Sequence, residues 1–507
     1  MKMYIPGTLL LSCFLVACGG DETAQSSKNW DETFGNKPGG ESVVTLGTST
    51  LELPYIISDG MVLQQESDAV LWGRATPGAR VSVKPSWAAD SSSVIVGSDG
   101  AWKLTVHTPA ASGTAHSLRF SDSQHGVKNV SNVLSGEVWL TAGQSNMEHP
   151  MRGFNSSSLG YQPIENYEEE LSSTDIPTFR YFKDKYQLSW EPCFNTKAST
   201  WDACNPTNAR EYQAVAFFFG RKLSRDLNVP IGIIGCAYGG SRIEAFMSDA
   251  SLQKFPASDW KDANDLGLAD GETNKQAPTN IYNGMVLPII NYTVRGILWY
   301  QGESNRDNFA AYSALQQEMV RDWRELKGDT ENKIPFYSVQ LAAFTSSDEL
   351  GAPRVRDAQM DAYDNTPNSG IVNASDCGGP TIHYPDKKTP AERLALWAEN
   401  KLYNKTTVNP MAPRFESLSI SGSKAIVTLS NASGLHLAEG KDKVENARIC
   451  GADGTWYDAD VTISGEQLIF SCASVAEPAH VRYCYASWSV GGNLYNADGL
   501  PVFPFQY

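Results

Sequence analysis

The sequence predicts an α/β protein in which a central parallel sheet, covered by helices on both faces, lies between two β-sandwich domains. Two observations carry this prediction. From about Gly136 to Tyr403, apolar runs that suit strands buried on both faces alternate with segments whose apolar residues recur at helical spacing. On either side of this region, short runs of alternating polarity are separated by turn signals, and hardly any helical pattern interrupts them.

The first 50 residues predict export. The chain opens with a lysine, an apolar stretch too short to span a bilayer, and small residues that end at Cys18. The residues "LVAC" resemble the lipobox of bacterial lipoproteins, which implies a signal peptide over 1–17 and a lipid on Cys18. We then expect an exported lipoprotein of the outer membrane that faces the periplasm or the cell surface. The alternative is ordinary signal cleavage with Cys18 as a free thiol. Residues 18–50 are polar and rich in glycine, serine and acidic side chains, which predicts a flexible tether.

Three domains are expected after this tether. Residues 51–133, with runs such as "AVLWGRA" and "RVSVKP", predict the N-terminal β-sandwich. Residues 134–404 form the predicted α/β domain, with strands such as "GEVWLTA" and "VRGILWYQG" and helices such as "AAYSALQQEMVRDWRELKG". Residues 405–507 return to alternation in "QLIFSCA" and "HVRYCYASW", which predicts the C-terminal β-sandwich.

The charge and the cysteines limit the partners and the chemistry. The formal charge is −16, with 41 Lys and Arg against 57 Asp and Glu, which argues against nucleic acid or an anionic membrane face as a partner. Any membrane contact is expected through the lipid anchor alone. An exported location permits disulfides, and we expect Cys193 to pair with Cys204 and a second pair to form among Cys450, Cys472 and Cys484. No close cysteine pair has the spacing of a metal site.

The stretch "TAGQSNMEHPM" places Ser145 in a turn of small residues directly after a predicted buried strand. Ligands of parallel sheets bind at the carboxyl ends of strands, and the glycines of "AYGGS", Gly239 and Gly240, fall at a second such end. An exposed turn serine with a free backbone N–H suits a nucleophile. The alternative is a serine that caps the following helix.

Motifs along nearly the whole mature chain resemble the sialate O-acetylesterase family of SGNH (GDSL-like) hydrolases, which have a flavodoxin-like fold. They are "SDGMVLQQ", "GEVWLTAGQSNMEHPM", "GCAYGGSRIEAFMS", "YNGMVLPI", "RGILWYQGESN", "FYSVQLAAF", "IHYPDK" and "NADGLPVFPF". The resemblance implies that Ser145 is the nucleophile and that His383 is its base. It implies neither a metal nor an organic cofactor, because acyl transfer to water through serine needs none.

The sequence departs from the usual SGNH pattern beside the histidine. An aspartate normally lies three residues before it, but Pro380 occupies that position here. We favour a Ser–His dyad in which a backbone carbonyl near Pro380 or Thr381 accepts the imidazole N–H. Asp376 and Asp386 are the alternative candidates for a third member.

Further site residues follow from the same motifs. The predicted oxyanion hole consists of the N–H groups of Ser145 and Gly240, with Gly239 as a rival, and the side-chain amide of Gln301 in "YQGESN", with Asn305 as a rival. Glu303 is interpreted as holding loops or as a partner of the catalytic residues. The candidate lining of the substrate cleft comprises His149, Arg242, Glu303 and Asn305, and the candidate partners of a sugar carboxylate are Arg152, Arg242 and Arg306.

These expectations define a serine esterase that hydrolyses O-acetyl esters on a carbohydrate, with O-acetylated sialic acid as the expected substrate. An esterase of acetylated xylan or another plant polysaccharide is the alternative within the same chemistry. A carbohydrate-binding protein without catalysis is the alternative from another class, although such a protein has no need of Ser145 and His383 together.

Overall fold

The computed structural model describes residues 50–156, 160–407, 409–488 and 492–507. The predicted signal peptide, Cys18 and nearly all of the tether therefore lie outside the described residues. Within the described ranges, no helix is both long and apolar enough to cross a bilayer.

The N-terminal strands are continuous with the central sheet. Strands β4, β3, β6 and β7 pair antiparallel in that order, β1 runs parallel along β7, and β2 pairs with β5. The long strand β7 pairs with β6 in its first half and enters the central sheet from Glu137 onward. The expected boundary at 133/134 thus falls inside one strand. The bounds are β1 Val62–Gln64, β2 Asp68–Arg74, β3 Arg80–Pro85, β4 Ser92–Ile95, β5 Ala101–His107, β6 Ser112–Asp122 and β7 Val127–Gly143.

The central sheet has the strand order β11-β10-β12-β7-β13-β14-β15, and every neighbouring pair except β11–β10 is parallel. Its strands are almost wholly buried because helices cover both faces, as the continuous apolar runs predicted. A short hairpin, β8–β9, lies outside this sheet. The bounds are β8 Phe154–Ser156, β9 Gly160–Gln162, β10 Ile176–Lys183, β11 Trp201–Cys204, β12 Ile231–Ala237, β13 Gly296–Tyr300, β14 Phe336–Val339 and β15 Ser369–Val372.

The long helices form two packed pairs, α3 with α8 and α6 with α7. Crossovers between parallel strands are right-handed as a rule, which with this strand order puts the two pairs on opposite faces of the sheet. The predicted fold class is confirmed. The bounds are α1 Ser145–Glu148, α2 Tyr167–Ser172, α3 Ala214–Leu227, α4 Asp249–Leu252, α5 Leu287–Ile290, α6 Phe309–Leu326, α7 Gly351–Asn365 and α8 Lys388–Leu402.

The C-terminal domain contains two four-stranded antiparallel sheets with an apolar core of their own, as the alternating pattern predicted. Their strand orders are β16-β17-β22-β21 and β20-β19-β23-β25, and β18 pairs with β24 beside them. The bounds are β16 Arg414–Ser421, β17 Lys424–Ser430, β18 His436–Leu437, β19 Ala447–Cys450, β20 Trp456–Asp458, β21 Asp460–Ser464, β22 Gln467–Ser471, β23 His480–Tyr483, β24 Leu494–Tyr495 and β25 Phe505–Gln506.

The predicted disulfides are wrong, since all seven cysteines in the described ranges are free thiols. Cys204 is buried at the end of β11, and burial raises the pKa of its thiol to about 12. Its expected partner, Cys193, is only half-buried and lies 3.7 Å from the Glu191 carbonyl. Most of these cysteines fill apolar space as small buried side chains.

Candidate active site

Ser145 lies where β7 ends, between the neighbouring strands β12 and β13. The connections that follow β12 and β13 run over opposite faces of the sheet, which makes this position a topological switch point. Gly143 makes this exit possible: its φ is +140°, and a Cβ there would lie 2.1 Å from the Tyr300 carbonyl oxygen on β13. Strand ends at such a point diverge and leave a crevice. A cavity of about 960 Å³ opens here, and both Ser145 and His383 line it.

His383 is held in one tautomer by a side-chain amide. Its Nδ1 lies 2.6 Å from Oε1 of Gln162 on β9, so Nδ1–H donates and Nε2 keeps its lone pair. Burial, followed by the charge of Lys387, lowers the pKa of His383 to about 4. The imidazole is therefore neutral at physiological pH. Among the described residues, Ser145 and His383 share the cavity wall without a direct hydrogen bond, and such contacts are often loose before substrate binds.

The structure corrects the expected partner of this histidine. The acceptor is the side chain of Gln162 rather than a backbone carbonyl near Pro380 or Thr381. Asp376 is unavailable because it accepts two hydrogen bonds of 2.7 Å from Arg393. Asp386 instead accepts the Thr389 N–H at 3.0 Å, at the start of α8. Gln162 was missed because it precedes His383 by 221 residues and no spacing in the sequence links them.

His149 supports Gln162 and lies behind the cavity, so its predicted place in the substrate cleft is wrong. The side chain has no exposed surface, and its Nε2 is 3.0 Å from the Gln162 carbonyl oxygen. Its ring stacks on Phe154 with centroids 4.6 Å apart. Burial holds the pKa of His149 well below its usual range, which keeps the ring neutral. It therefore packs the β8–β9 hairpin against the end of α1.

Two backbone N–H groups are free to bind a developing oxyanion. In the part of the chain that the structure describes, neither Ser145 N–H nor Gly240 N–H donates to a protein acceptor. Gly240 has a φ of +73°, which favours glycine. The N–H of the rival Gly239 acts on the Glu148 carboxyl instead and lowers its pKa, against the larger effect of burial. The N–H groups of Ser145 and Gly240 thus remain the predicted pair of donors.

The predicted third donor, Gln301, faces the protein interior. Its Nε2 contacts Gln144 Oε1 at 3.1 Å, the Ser241 carbonyl at 3.1 Å and Asn305 Oδ1 at 2.7 Å. Asn305, the rival and a candidate for the cleft, has no exposed surface and donates to Glu244 at 2.8 Å. Both side-chain amides bind other protein groups, and neither lines the cavity, which differs from the prediction for these two residues.

Gln144 has a side-chain amide whose Nε2 is available as a donor at the cavity. The sequence analysis did not include this residue among the candidates. Its Oε1 accepts from Gln301 Nε2 and, at 3.2 Å each, from the N–H groups of Gly302 and Ser304. Because backbone N–H groups can only donate, this contact pattern fixes which end of the amide is oxygen. Nε2 points away from these donors, and Gln144 lines the cavity next to Ser145. The only signal in the sequence was its place directly before the serine.

A buried polar network ties the His383 loop to α1. Asn146 donates to Glu303 and, at 3.2 Å, to the Ile382 carbonyl, and it accepts from Lys387 Nζ at 2.7 Å. Burial lowers the pKa of Lys387 to about 7 and raises the pKa of the Glu303 carboxyl. Glu303 lines the cavity wall and accepts an N–H, which agrees with the interpretation that it holds loops.

Other groups of the wall add charge and aromatic surface. Burial raises the pKa of Glu148 to about 7. Tyr186 and Tyr238 line the cavity as a stacked pair with centroids 4.3 Å apart. Of the predicted arginines, Arg242 lines the cavity but is buried and ion-paired with Asp307 at 2.8 Å.

Comparisons with known proteins show which family the chain belongs to. The family model described as carbohydrate esterase, sialic acid-specific acetylesterase, matches residues 135–392. The chain is 29% identical over 493 residues to the sialate O-acetylesterase of Homo sapiens, which covers 89% of this chain and 91% of that protein. It is 27% identical to the sialate O-acetylesterase of Mus musculus, over 85% of this chain and 89% of that protein. The crystal structure of a carbohydrate acetylesterase from Xanthomonas citri matches with a TM-score of 0.78 and 32% identity, over 90% of this chain and 99% of that one.

Proposed function

Since the chain belongs to the sialic acid-specific acetylesterase family of carbohydrate esterases and is a carboxylic ester hydrolase, we propose that it removes O-acetyl groups from sialic acid with Ser145 as nucleophile. One observation carries the assignment of the nucleophile. Ser145 stands at the end of β7 in a cavity that it shares with a neutral histidine and with unused N–H donors.

In the proposed first step, Ser145 Oγ attacks the acetyl carbonyl carbon and its proton passes to His383 Nε2. The Nδ1–H···Oε1 bond to Gln162 supports this direction of transfer, because it leaves Nε2 as the basic nitrogen. The imidazolium that forms is stabilised by the amide dipole of Gln162. A neutral partner stabilises it less than a carboxylate would.

The negative charge of the tetrahedral intermediate falls on the former carbonyl oxygen. We assign its binding to Ser145 N–H, Gly240 N–H and Gln144 Nε2, which replaces Gln301 as the side-chain donor. Donors that are already oriented cost no reorganisation when charge develops. Gln144 meets this condition because three N–H groups hold its oxygen.

The intermediate then collapses. His383 returns the proton to the sugar oxygen, the ester C–O bond breaks, and the deacetylated sugar leaves while the acetyl group stays on Ser145. Water activated by the same Nε2 attacks this acetyl-enzyme, and acetate is released. The stacked Tyr186 and Tyr238 offer an aromatic face to the sugar.

Acetate release from O-acetylated sialic acid and from acetylated xylan tests the substrate. We expect release from the sialic acid, and preferential release from xylan would contradict the proposed substrate. In the same assay Ser145→Ala should lower kcat by about a thousandfold or more, since the nucleophile of a linked catalytic set is lost. Retention of more than about a tenth of wild-type kcat would contradict the role of Ser145.

For the location of the protein, we propose that Cys18 carries the lipid and that the acidic tether holds the enzyme clear of the outer membrane. The support is the lipobox-like "LVAC" after a short apolar stretch. Wild-type protein should fractionate with membranes, and Cys18→Ala should appear in the soluble fraction, because stable anchoring needs the acyl chains. Identical fractionation of the two would refute this.

A further inference from the structure

Four cationic side chains line the cavity, and carboxylates neutralise two of them. Arg242 pairs with Glu244 and Asp307, and Lys261 pairs with Asp307. Within the described ranges, Lys275 and Arg306 have no carboxylate oxygen within ion-pair distance. This is notable in a chain whose formal charge is −16, where acidic partners are plentiful. The cavity that Ser145 lines therefore presents two positive charges that form no ion pair among the described residues.

Arg306 differs from Lys275 because it is held in place by neutral groups. Its Nε donates to the Glu303 carbonyl and its Nη1 to Ser346 Oγ, both at 3.0 Å. The guanidinium also lies 5.3 Å from the centroid of the Phe344 ring. Among the described residues Nη2 has no acceptor, so it remains available to a ligand. A guanidinium that is already positioned loses little side-chain entropy when it binds.

Three other carboxyl groups share this wall, and none of them forms one of the described ion pairs with Arg306 or Lys275. Burial raises the pKa of the Glu148 carboxyl to about 7. Glu303 accepts from Asn146, and Asp348 accepts the Gly351 N–H at 3.0 Å. The Lys275 side chain makes no hydrogen bond to a described residue, and its Nζ lies 5.9 Å from the centroid of the Tyr238 ring. Its position is thus set by a flexible chain and a weak cation–π contact.

We propose that Arg306 binds the carboxylate of the acidic sugar whose acetyl ester reaches Ser145. This rests on the proposed function, in which the substrate is a sialic acid and carries such a carboxylate. The other arginines considered from the sequence do not compete for this role. Arg242 is neutralised by Glu244 and Asp307, and Arg152 is ion-paired with Glu211 at 2.6 Å and does not line the cavity.

The test compares one O-acetylated sialic acid with its methyl ester, which lacks only the negative charge. The readout is the ratio of kcat/KM for the free acid to kcat/KM for the methyl ester. For the wild type we expect a ratio of about 10 to 100, as charge-assisted hydrogen bonds imply. Arg306→Gln should bring the ratio close to one, chiefly by raising KM for the free acid, and Arg306→Lys should restore part of it.

Lys275→Gln is the matched control, since it removes one positive charge from the same cavity. We expect it to change the ratio by less than about threefold, as for a charge that acts through solvent. If Lys275→Gln abolishes the preference and Arg306→Gln does not, the proposal is overturned. An equal loss on both substrates in Arg306→Gln would also overturn it, because that is the result of a purely structural role.

The experiment separates this proposal from the proposed function. If wild-type protein releases acetate from both substrates at a ratio near one, the carboxylate site does not exist and the esterase assignment stands. If it releases acetate from neither but hydrolyses p-nitrophenyl acetate, the proposed substrate is wrong and the carboxylate site is overturned with it.

Discussion

Replacing Gln162 by glutamate should convert the Ser–His pair into a charged triad. The substitution keeps the shape of the side chain and places a carboxylate where Oε1 now lies 2.6 Å from His383 Nδ1. With charge centres about 4 Å apart and an effective dielectric constant of about 20, the attraction to the imidazolium is about 4 kcal/mol. This equals about 3 pKa units, and it is an upper limit because the new charge must itself be desolvated.

We therefore expect the pKa of His383 to rise from about 4 by about one to three units in Gln162→Glu. The assay is kcat/KM on p-nitrophenyl acetate from pH 4 to pH 9, whose acid limb reports the base of the free enzyme. The limb should move to higher pH in Gln162→Glu. In Gln162→Ala the limb should stay at low pH while the plateau falls, because the tautomer is no longer held.

Asn155→Asp provides the matched control. Asn155 lies on the same hairpin and lines the same cavity, so this variant adds the same charge without replacing the partner of His383. Its acid limb should shift much less than that of Gln162→Glu. If both variants shift the limb equally, or if neither does, Gln162 is not the residue that orients the imidazole.

Three further predictions concern the oxyanion hole, the buried Glu148 and the rejected third member. Gln144→Glu keeps the oxygen that three N–H groups hold, but it removes the Nε2 donor. The kcat on an acetyl ester should therefore fall by about 10²- to 10³-fold with little change in KM. A loss below about threefold would exclude Gln144 from the oxyanion hole. The pKa of Glu148 is about 7 in the folded protein against 4.5 in a model peptide, so the folded state binds its proton more tightly and stability is lost as pH rises from 4.5 through 7. Urea unfolding should show Glu148→Gln more stable than wild type at pH 8, by up to about 3 kcal/mol, and equal to it at pH 4.5. Asp376→Asn should lower the free energy of unfolding by about 3 kcal/mol, because it leaves the buried Arg393 unpaired. We expect kcat/KM to change less than about threefold in this variant. A thousandfold loss of kcat/KM would mean that Asp376 acts on His383 after all.

The fold was predictable because its signals are local. Burial on both faces of a strand produces continuous apolar runs such as "GEVWL", and helical spacing appears within single segments of the chain. The position of Ser145 followed from the same signals, since the end of a buried strand can be recognised without knowing its neighbours. The sequence pattern places a domain boundary at 133/134, because apolar residues change there from alternating to continuous. The strand β7 nevertheless continues through this position.

The remaining features of the site depend on contacts between distant segments. Gln301 and Gln144 both stand beside strand ends, and nothing in their local sequence shows which amide is consumed inside the protein. That outcome depends on the N–H groups of Gly302 and Ser304, which orient Gln144 from across the crevice. Gln162 is likewise brought to His383 by the β8–β9 hairpin. The disulfide prediction failed for a related reason, since loop spacing says nothing of which cysteines face a core.

The charges around His383 explain why the oxyanion donors matter so much in this site. The transition state creates an imidazolium and an oxyanion together, and in a full triad a carboxylate stabilises the first. Here Gln162 is neutral, and Lys387 lies close enough for its charge to lower the pKa of His383. In the proposed mechanism, weak stabilisation of the imidazolium leaves more of the barrier to be lowered at the oxyanion, whose binding we assign to Ser145 N–H, Gly240 N–H and the oriented Gln144 amide. Lys387 itself has a pKa of about 7, so it loses its charge as pH rises through neutrality and then opposes the imidazolium less. The base thus becomes stronger in the same pH range in which Glu148 becomes an anion. Loss of a proton from either buried group makes the site more negative by one charge, which favours the imidazolium and opposes the oxyanion.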